Sequence, residues 1–149
     1  MPGKSVKSYK GGLAVRLRNI YKRIHMDHFL IISIGAVLGA NARYWIGGWA
    51  ADRFGTAFPY GNLVINVFGS FMVGIIITLM TERFIVDPAW RIFIAIGFFG
   101  SFTTFSSYTF ESLALILAGQ WNLGIMNLFG SSLLGGLAAL LGILLGRAI

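Results

Sequence analysis

The residues best suited to chemistry lie in a polar stretch between Gly97 and Glu111, which reads GFFGSFTTFSSYTFE. Six Ser and Thr hydroxyls and a tyrosine phenol alternate there with phenylalanines, and two glycines lie among them. Threonines and glycines are weak helix formers, while hydroxyls can hydrogen-bond the backbone groups that an interrupted helix leaves free. The stretch therefore predicts a broken helix, whose freed carbonyl oxygens suit a small hard cation and whose N–H groups suit an anion.

Two asparagines at helical spacing, Asn62 and Asn66, make a second polar feature, and Gly69 and Ser70 continue the same helix face. An amide is costly in lipid unless it finds a partner, so this face should meet protein or water. A hydrogen bond that merely holds two helices together would explain either asparagine taken alone.

Aromatic side chains are the third candidate feature. Phe105 and Tyr108 are three residues apart and share a helix face, so their ring edges, which carry partial positive charge, would face a passing anion. Ordinary packing is the better explanation for most of the other phenylalanines.

The sequence lacks the residue sets on which a small enzyme depends. It has no cysteine, and its two histidines, His25 and His28, lie ahead of the apolar segments and outside any acidic cluster. No nucleophile with a base, metal-ligand cluster or pair of neighbouring carboxylates is visible. We therefore predict that the chain is not an enzyme.

The elements that must position these residues are apolar helices. The chain is 56% hydrophobic and 11% charged, against about 45–50% and about 25% in soluble domains. Four runs are long enough to cross a hydrocarbon core of about 30 Å, and they lack the alternation of a β-barrel. The sequence predicts an all-α membrane protein with spans at Phe29–Ala51, Tyr60–Met80, Trp90–Ala118 and Trp121–Leu145. The short connections leave no room for a soluble catalytic domain.

Glycines four residues apart mark two of these spans, Gly35 with Gly39 and Gly142 with Gly146. Such pairs let helix backbones approach closely in lipid, most simply inside one bundle. Because four helices enclose little interior, an aqueous path through one subunit is not expected. We predict a dimer.

Residues 1–25 form a basic leader that carries all of the net charge of +7. Anionic lipid suits such a segment better than nucleic acid, because the chain has no folded aqueous face to read bases. Two interpretations stay open: a helix lying on the membrane surface, or an extension that does not belong to the working protein, with residues 26–149 as the functional domain and Met26 as the start. The leader lacks the features of a secretory signal.

Three segments together resemble the Fluc (CrcB) family of fluoride channels. They are the GANARY run from Gly39 to Tyr44, the GNLVINVFGSF run from Gly61 to Phe71, and the run from Gly97 to Phe110 with its Thr-Thr-Phe-Ser core. The resemblance implies a passive, selective fluoride export channel in the bacterial plasma (inner) membrane, which protects the cell from cytoplasmic fluoride. It also implies an antiparallel, dual-topology dimer with a third helix broken mid-membrane and a structural sodium ion at the interface.

The same resemblance assigns individual roles. Backbone carbonyls of Gly100 and Thr103 match the sodium ligands, and the other matched positions belong to the fluoride pathway: Asn66, Phe105, Tyr108, Thr104, Glu111, Arg43 and Ser131. Two positions depart from the family pattern. Tyr108 replaces a second pore phenylalanine, and Asn127 replaces a frequent tyrosine of the fourth helix.

The distribution of basic residues predicts how the chain is oriented in the membrane. The basic residues favour an N-terminus inside the cell, so dual insertion is easier without the leader, whereas a genuine leader favours an oppositely oriented paralogue as partner. A proton-coupled drug exporter of similar size depends on an acidic residue in its first helix, and residues 29–51 contain none. A non-transporting scaffold explains the glycines but leaves Asn62, Asn66 and the polar third span unexplained.

Overall fold

The computed structural model describes the backbone of residues 3–84 and 86–149 and the side chains of residues 27–84 and 86–149. Within these residues the chain is helical and contains no strand. Four helical segments are long and apolar enough to cross a membrane, Asp27–Phe54, Tyr60–Arg83, Pro88–Leu117 and Trp121–Ala148. The predicted all-α membrane class and its four spans are confirmed. The side chains of the leader lie outside the described part, so both interpretations of residues 1–25 stay predictions.

Helix α1 runs from Gly3 to Phe54 and ends at Gly55, whose φ of 78° few other residues would adopt. Helix α2 covers Tyr60–Arg83, and its last turn, Leu79–Arg83, is π-helical. The third span starts at Pro88, behind an Asp87 carboxylate that accepts the Ala89 N–H at 2.8 Å. Asp and Pro at these positions are favourable helix starts.

The third span consists of two helices with two extended residues between them. Helix α3 covers residues 88–102 and contains an eight-residue π-helical segment, Ile92–Phe99. Thr103 and Thr104 then have extended backbone, with φ and ψ of −82° and 152° and of −147° and 119°. Helix α4 follows at Phe105–Leu117, and a turn at Gly119 leads to helix α5, Trp121–Ala148, which has a π-helical turn at Met126–Gly130.

Close backbone packing joins the helices in two pairs. α1 packs on α3 so closely that a Cβ atom added at Gly35 would lie 2.6 Å from the Phe93 carbonyl oxygen, which is too near for any side chain. α2 packs on α5, where a Cβ atom at Gly74 would lie 2.5 Å from the Ala139 carbonyl oxygen, and Gly142 meets the backbone of α2 equally closely. The glycine faces therefore serve packing inside the subunit, which was the simpler of their interpretations.

Two contact regions fix α3 relative to α2 and α5. Phe99 and Phe102 pack with Ile65 of α2 in a buried apolar cluster. At one end of the bundle, the Arg91 guanidinium donates to the Met80 carbonyl oxygen at 2.8 Å and links the start of α3 to the end of α2. At the same end an Arg147–Glu82 ion pair of 3.1 Å joins α5 to α2. These contacts hold the polar part of the third span against the face of α2 that carries Asn62 and Asn66.

Candidate functional site

The side chain of Asn66 is bound to the peptide backbone at the interruption of the third span. Its Oδ1 accepts the Thr104 N–H at 2.9 Å, and its Nδ2 donates to the Thr104 carbonyl oxygen at 3.2 Å. The Asn66 amide oxygen thus takes the place of a helical carbonyl as acceptor for the Thr104 N–H, and its Nδ2 adds a second donor to the Thr104 carbonyl, which is the N-cap carbonyl of α4. We call this pair of hydrogen bonds the Asn66–Thr104 bridge.

The interruption leaves backbone carbonyl oxygens at the end of α3 without their helical donors, among them those of Gly100 and Thr103. In a continuous helix the Thr104 N–H would bond the Gly100 carbonyl, but it is given to Asn66. The Ser107 N–H would bond the Thr103 carbonyl, but it donates to the Thr104 hydroxyl at 3.3 Å and so caps α4. The two carbonyls are the ones that the resemblance assigns to sodium.

An open groove of about 470 Å³, with a mostly apolar lining that includes several polar side chains, lies along the interruption, between α2, α4 and α5. Its lining combines amide, hydroxyl and aromatic groups with two glycines and an alanine of α5. The lining residues are Asn66, Ser70, Thr103, Thr104, Phe105, Tyr108, Ser131, Ser132, Gly135, Gly136 and Ala139. We call this cavity the central groove. Five of the seven predicted pathway residues lie in it, and Arg43 and Glu111 do not.

Arg43 and Glu111 line a second cavity, of about 780 Å³, on the α1 side of Thr104. In it the Asn62 Nδ2 donates to Glu111 Oε2 at 2.6 Å, so the two residues that sequence analysis treated separately are direct partners. A third cavity, of about 500 Å³, leads toward Glu82 and Arg147. The central groove shares Thr104 with the second cavity and Ser70 with the third, so the three cavities adjoin one another along α2. We call this row of cavities the track.

The two aromatic candidates differ sharply in exposure. The Phe105 side chain is 79% exposed at the groove, whereas Tyr108 is only 7% exposed. Their ring centroids lie 5.6 Å apart. The Tyr108 hydroxyl donates to the Leu128 carbonyl oxygen and lies 2.7 Å from the Ser132 Oγ. The phenol therefore points its hydroxyl into α5, and its ring forms the groove wall.

A buried polar network lies behind Tyr108. The Ser112 Oγ donates to the Tyr108 carbonyl oxygen at 2.8 Å, and the Asn127 Nδ2 donates to Ser112 Oγ at 2.8 Å. The Ser131 Oγ completes the network by donating to Asn127 Oδ1 at 2.9 Å. Asn127 is 1% exposed and Ser112 is 0% exposed. The structure thus connects Asn127, a departure from the family pattern, to the groove residue Ser131.

The far part of the track contains polar residues that were not predicted from the sequence. Thr78, Thr81 and Glu82 line the third cavity, and Ser132 lines the central groove beside Ser131. The available signal was the four-residue spacing of Asn62, Asn66 and Ser70, which continues through Gly74 to Thr78. The structure brings the predicted residues together along one track, and their role in ion passage stays a prediction.

The interruption and the groove beside it offer a cation oxygen atoms of the backbone and of Ser, Thr and Asn side chains. Among residues 27–84 and 86–149 no three His, Cys, Asp or Glu side chains cluster closely enough to bind a metal ion. Carbonyl oxygens are ligands that suit a hard monovalent cation. The freed carbonyls of Gly100 and Thr103 therefore fit the predicted sodium better than they fit a transition metal.

Four spanning helices with a row of adjoining cavities that carry polar side chains define a small multi-pass membrane protein with a candidate ion pathway. The family described as "CrcB-like protein, Camphor Resistance (CrcB)" matches residues 30–143. The chain belongs to this family, as its three sequence segments predicted.

Individual relatives support the assignment over nearly their whole lengths. A fluoride-specific ion channel of Chloroflexus aurantiacus is 43% identical over 82% of this chain and 97% of its own. One of Koribacter versatilis is 46% identical over 76% of this chain and 90% of its own. One of Sulfurihydrogenibium is 40% identical over 83% of this chain and 100% of its own. These relatives are named as channels, in agreement with the prediction that the chain is not an enzyme.

Proposed function

We propose that this chain is a subunit of a passive fluoride channel that exports fluoride across the plasma membrane of a bacterium. The observation that carries the proposal is the Asn66–Thr104 bridge, which binds the interruption of the third span to α2 beside the central groove. The channel names of relatives that are 40–46% identical supply the ion.

Hydrogen-bond donors at the groove favour a small, strongly hydrated anion. The Asn66 amide uses one Nδ2 hydrogen on Thr104 and keeps a second, and the first N–H groups of α4 point toward the interruption. The N-terminus of a helix also attracts negative charge. The exposed edge of Phe105 adds partial positive charge without a fixed ion, which suits binding weak enough to permit release.

Arg43 and Glu111 then belong to a vestibule in front of this groove. The Arg43 guanidinium would raise the local concentration of anions there. The Glu111 carboxylate, which would repel fluoride, is engaged by the Asn62 amide at 2.6 Å. Fluoride passes Glu111 on the side of Thr104, which lines both the second cavity and the central groove.

A second subunit would complete the pathway. The central groove is open along one side of the bundle, and lipid tails would fill it in a single subunit. Two copies in antiparallel orientation would close each other's grooves with their interrupted helices face to face in mid-membrane. An oppositely oriented paralogue could take the place of the second copy.

A sodium ion at that interface would hold the two interrupted helices together. Each subunit supplies the Gly100 and Thr103 carbonyl oxygens, which are too few for a hard cation by themselves. Two subunits related by symmetry would double the number of ligands. The sodium would be structural, because its ligands are backbone atoms that cannot leave without moving α3.

Fluoride efflux from proteoliposomes tests the proposed function. Vesicles of purified protein, loaded with potassium fluoride, should release fluoride without a proton gradient. Valinomycin is added so that potassium leaves with fluoride and no opposing membrane potential builds up. Vesicles loaded with chloride should release little. Absence of fluoride release from vesicles that contain the intact protein would contradict the proposal, and release only with a proton gradient would indicate a coupled carrier.

Separate measurements test the dimer and the sodium. Cysteine pairs introduced at Gly100 and at neighbouring groove positions should cross-link two subunits only if the interrupted helices face each other. Replacing sodium by N-methylglucamine should slow efflux or lower the thermal stability of the dimer. Unchanged stability and efflux after exhaustive removal of sodium would exclude a structural sodium ion.

A further inference from the structure

We propose that Asn127 is a positioning residue that determines whether Ser131 can donate a hydrogen bond into the central groove. The inference rests on the proposed fluoride function and extends it to a residue that does not touch the pathway. Asn127 is 1% exposed, and its amide lies between two hydroxyls, Ser112 at 2.8 Å and Ser131 at 2.9 Å.

The direction of each hydrogen bond in this network decides what Ser131 offers. In the structure Ser131 donates its only hydroxyl proton to Asn127 Oδ1. Ser131 lines the groove, and with its proton given to Asn127 its Oγ has only lone pairs to offer there. Lone pairs attract water or a cation and repel fluoride. In this arrangement Ser131 contributes an acceptor where an anion requires a donor.

Rotation of the Asn127 amide by half a turn reverses this arrangement. The Nδ2 would then donate to Ser131 Oγ, and Ser112 would donate to Oδ1, so both ends of the amide keep a partner. The Ser131 proton would be free to point into the groove. The one bond given up joins Ser112 to the Tyr108 carbonyl, which also accepts the helical N–H of Ser112.

In both orientations of the Asn127 amide, nearly all polar groups of the network therefore have hydrogen-bond partners. The occupant of the groove selects between the two orientations. An anion beside Ser131 favours the orientation that frees the hydroxyl proton, whereas water or a cation favours the observed one. An amide can do this because it carries both a donor and an acceptor, whereas a carboxylate has only acceptors and an apolar side chain has neither group. Asn127 thereby adjusts the number of donors along the fluoride pathway without contacting the ion.

A double-mutant cycle between Asn127→Asp and Ser131→Ala tests this coupling. The carboxylate holds the Ser131 proton permanently, so Asn127→Asp should lower the fluoride efflux rate about tenfold, the cost of one hydrogen bond to a charged group. In the Ser131→Ala background the same change should have less than about a threefold effect. A purely structural or electrostatic role would give the same reduction in both backgrounds, and that result would overturn the inference.

Asn127→Leu provides an independent measurement if the aspartate variant does not assemble. Leucine takes no proton from Ser131, so efflux should rise by about twofold or more. Equal or lower efflux from vesicles with intact protein would count against the proposal. Asn122→Asp and Asn122→Leu are matched controls, because Asn122 is exposed at the start of the same helix. Absence of efflux from the wild type would refute the proposed function itself, whereas wild-type efflux with additive variants would refute only the coupling.

Discussion

Asn66→Asp is the sharpest perturbation of the proposed pathway, because it changes one group of the Asn66–Thr104 bridge and leaves the size of the side chain unchanged. The carboxylate can still accept the Thr104 N–H, which lies 2.9 Å from Oδ1. The opposite oxygen, however, replaces a donor that lies 3.2 Å from the Thr104 carbonyl oxygen. Two acceptors then face each other, and the second amide hydrogen, which Thr104 does not use, is lost as well.

The expected magnitude follows from two terms. Loss of a hydrogen bond to a charged group costs about 1.5–3 kcal/mol, which corresponds to roughly a tenfold to hundredfold slower passage if the donor contacts fluoride at the barrier. A carboxylate about 4 Å from the anion adds about 4 kcal/mol of repulsion at an effective dielectric constant near 20. Together these terms predict that fluoride efflux falls by at least about a thousandfold.

Efflux from proteoliposomes, recorded with a fluoride electrode, measures this prediction directly. Asn66→Ala separates the two terms, because it removes the donor without adding charge and should fall between the wild type and the aspartate variant. Asn122→Asp adds the same charge at an exposed position of α5 and should conduct normally. Efflux from Asn66→Asp within threefold of the wild type, from protein that elutes like the wild type in size-exclusion chromatography, would refute the reasoning.

Three further predictions concern stability. Tyr108→Phe removes the hydroxyl that donates to Leu128 and should cost about 1 kcal/mol, measured as a lower thermal aggregation temperature in detergent; an unchanged temperature would show that the bond contributes nothing. Gly142→Leu places a side chain against the backbone of α2 and should abolish the monodisperse species, so normal chromatography would contradict the packing. Glu82→Gln breaks the exposed ion pair with Arg147 and should cost at most about 1 kcal/mol, less at high salt; a large salt-independent loss would contradict this prediction.

Hydropathy predicted the four spans because the length and composition of a membrane helix are set by the bilayer itself. The weak helix formers around Thr103 and Thr104 indicated where the third span lacks strong helical preference. They did not indicate which residues would leave the helix, because that depends on Asn66, a residue 38 positions earlier in the sequence. Local helix propensity indicates where a helix is weak, and the contact with a residue of another helix determines which residues leave it.

The candidate site also combines features that the sequence predicts with contacts that only the folded structure shows. Helical spacing placed Asn62 and Asn66 on one face, but the Asn62–Glu111 contact joins residues 49 positions apart and follows only from the packing of α2 on α4. The direction of the Tyr108 hydroxyl was also beyond sequence reasoning, because either face of α4 is compatible with its position. Tyr108 is buried against α5, and its hydroxyl donates to the backbone of Leu128. This contact gives the tyrosine hydroxyl a partner at a position where the family pattern has phenylalanine.

The Asn66–Thr104 bridge has a consequence for the conditions under which the protein works. Hydrogen fluoride crosses membranes in its neutral form, so a cell accumulates most fluoride when its surroundings are acidic. The bridge consists of an amide side chain and a peptide group, neither of which gains or loses a proton in the physiological range. The dimensions of the interruption should therefore be the same in acid as at neutrality, so the exit route stays intact when the inward flow of acid is greatest.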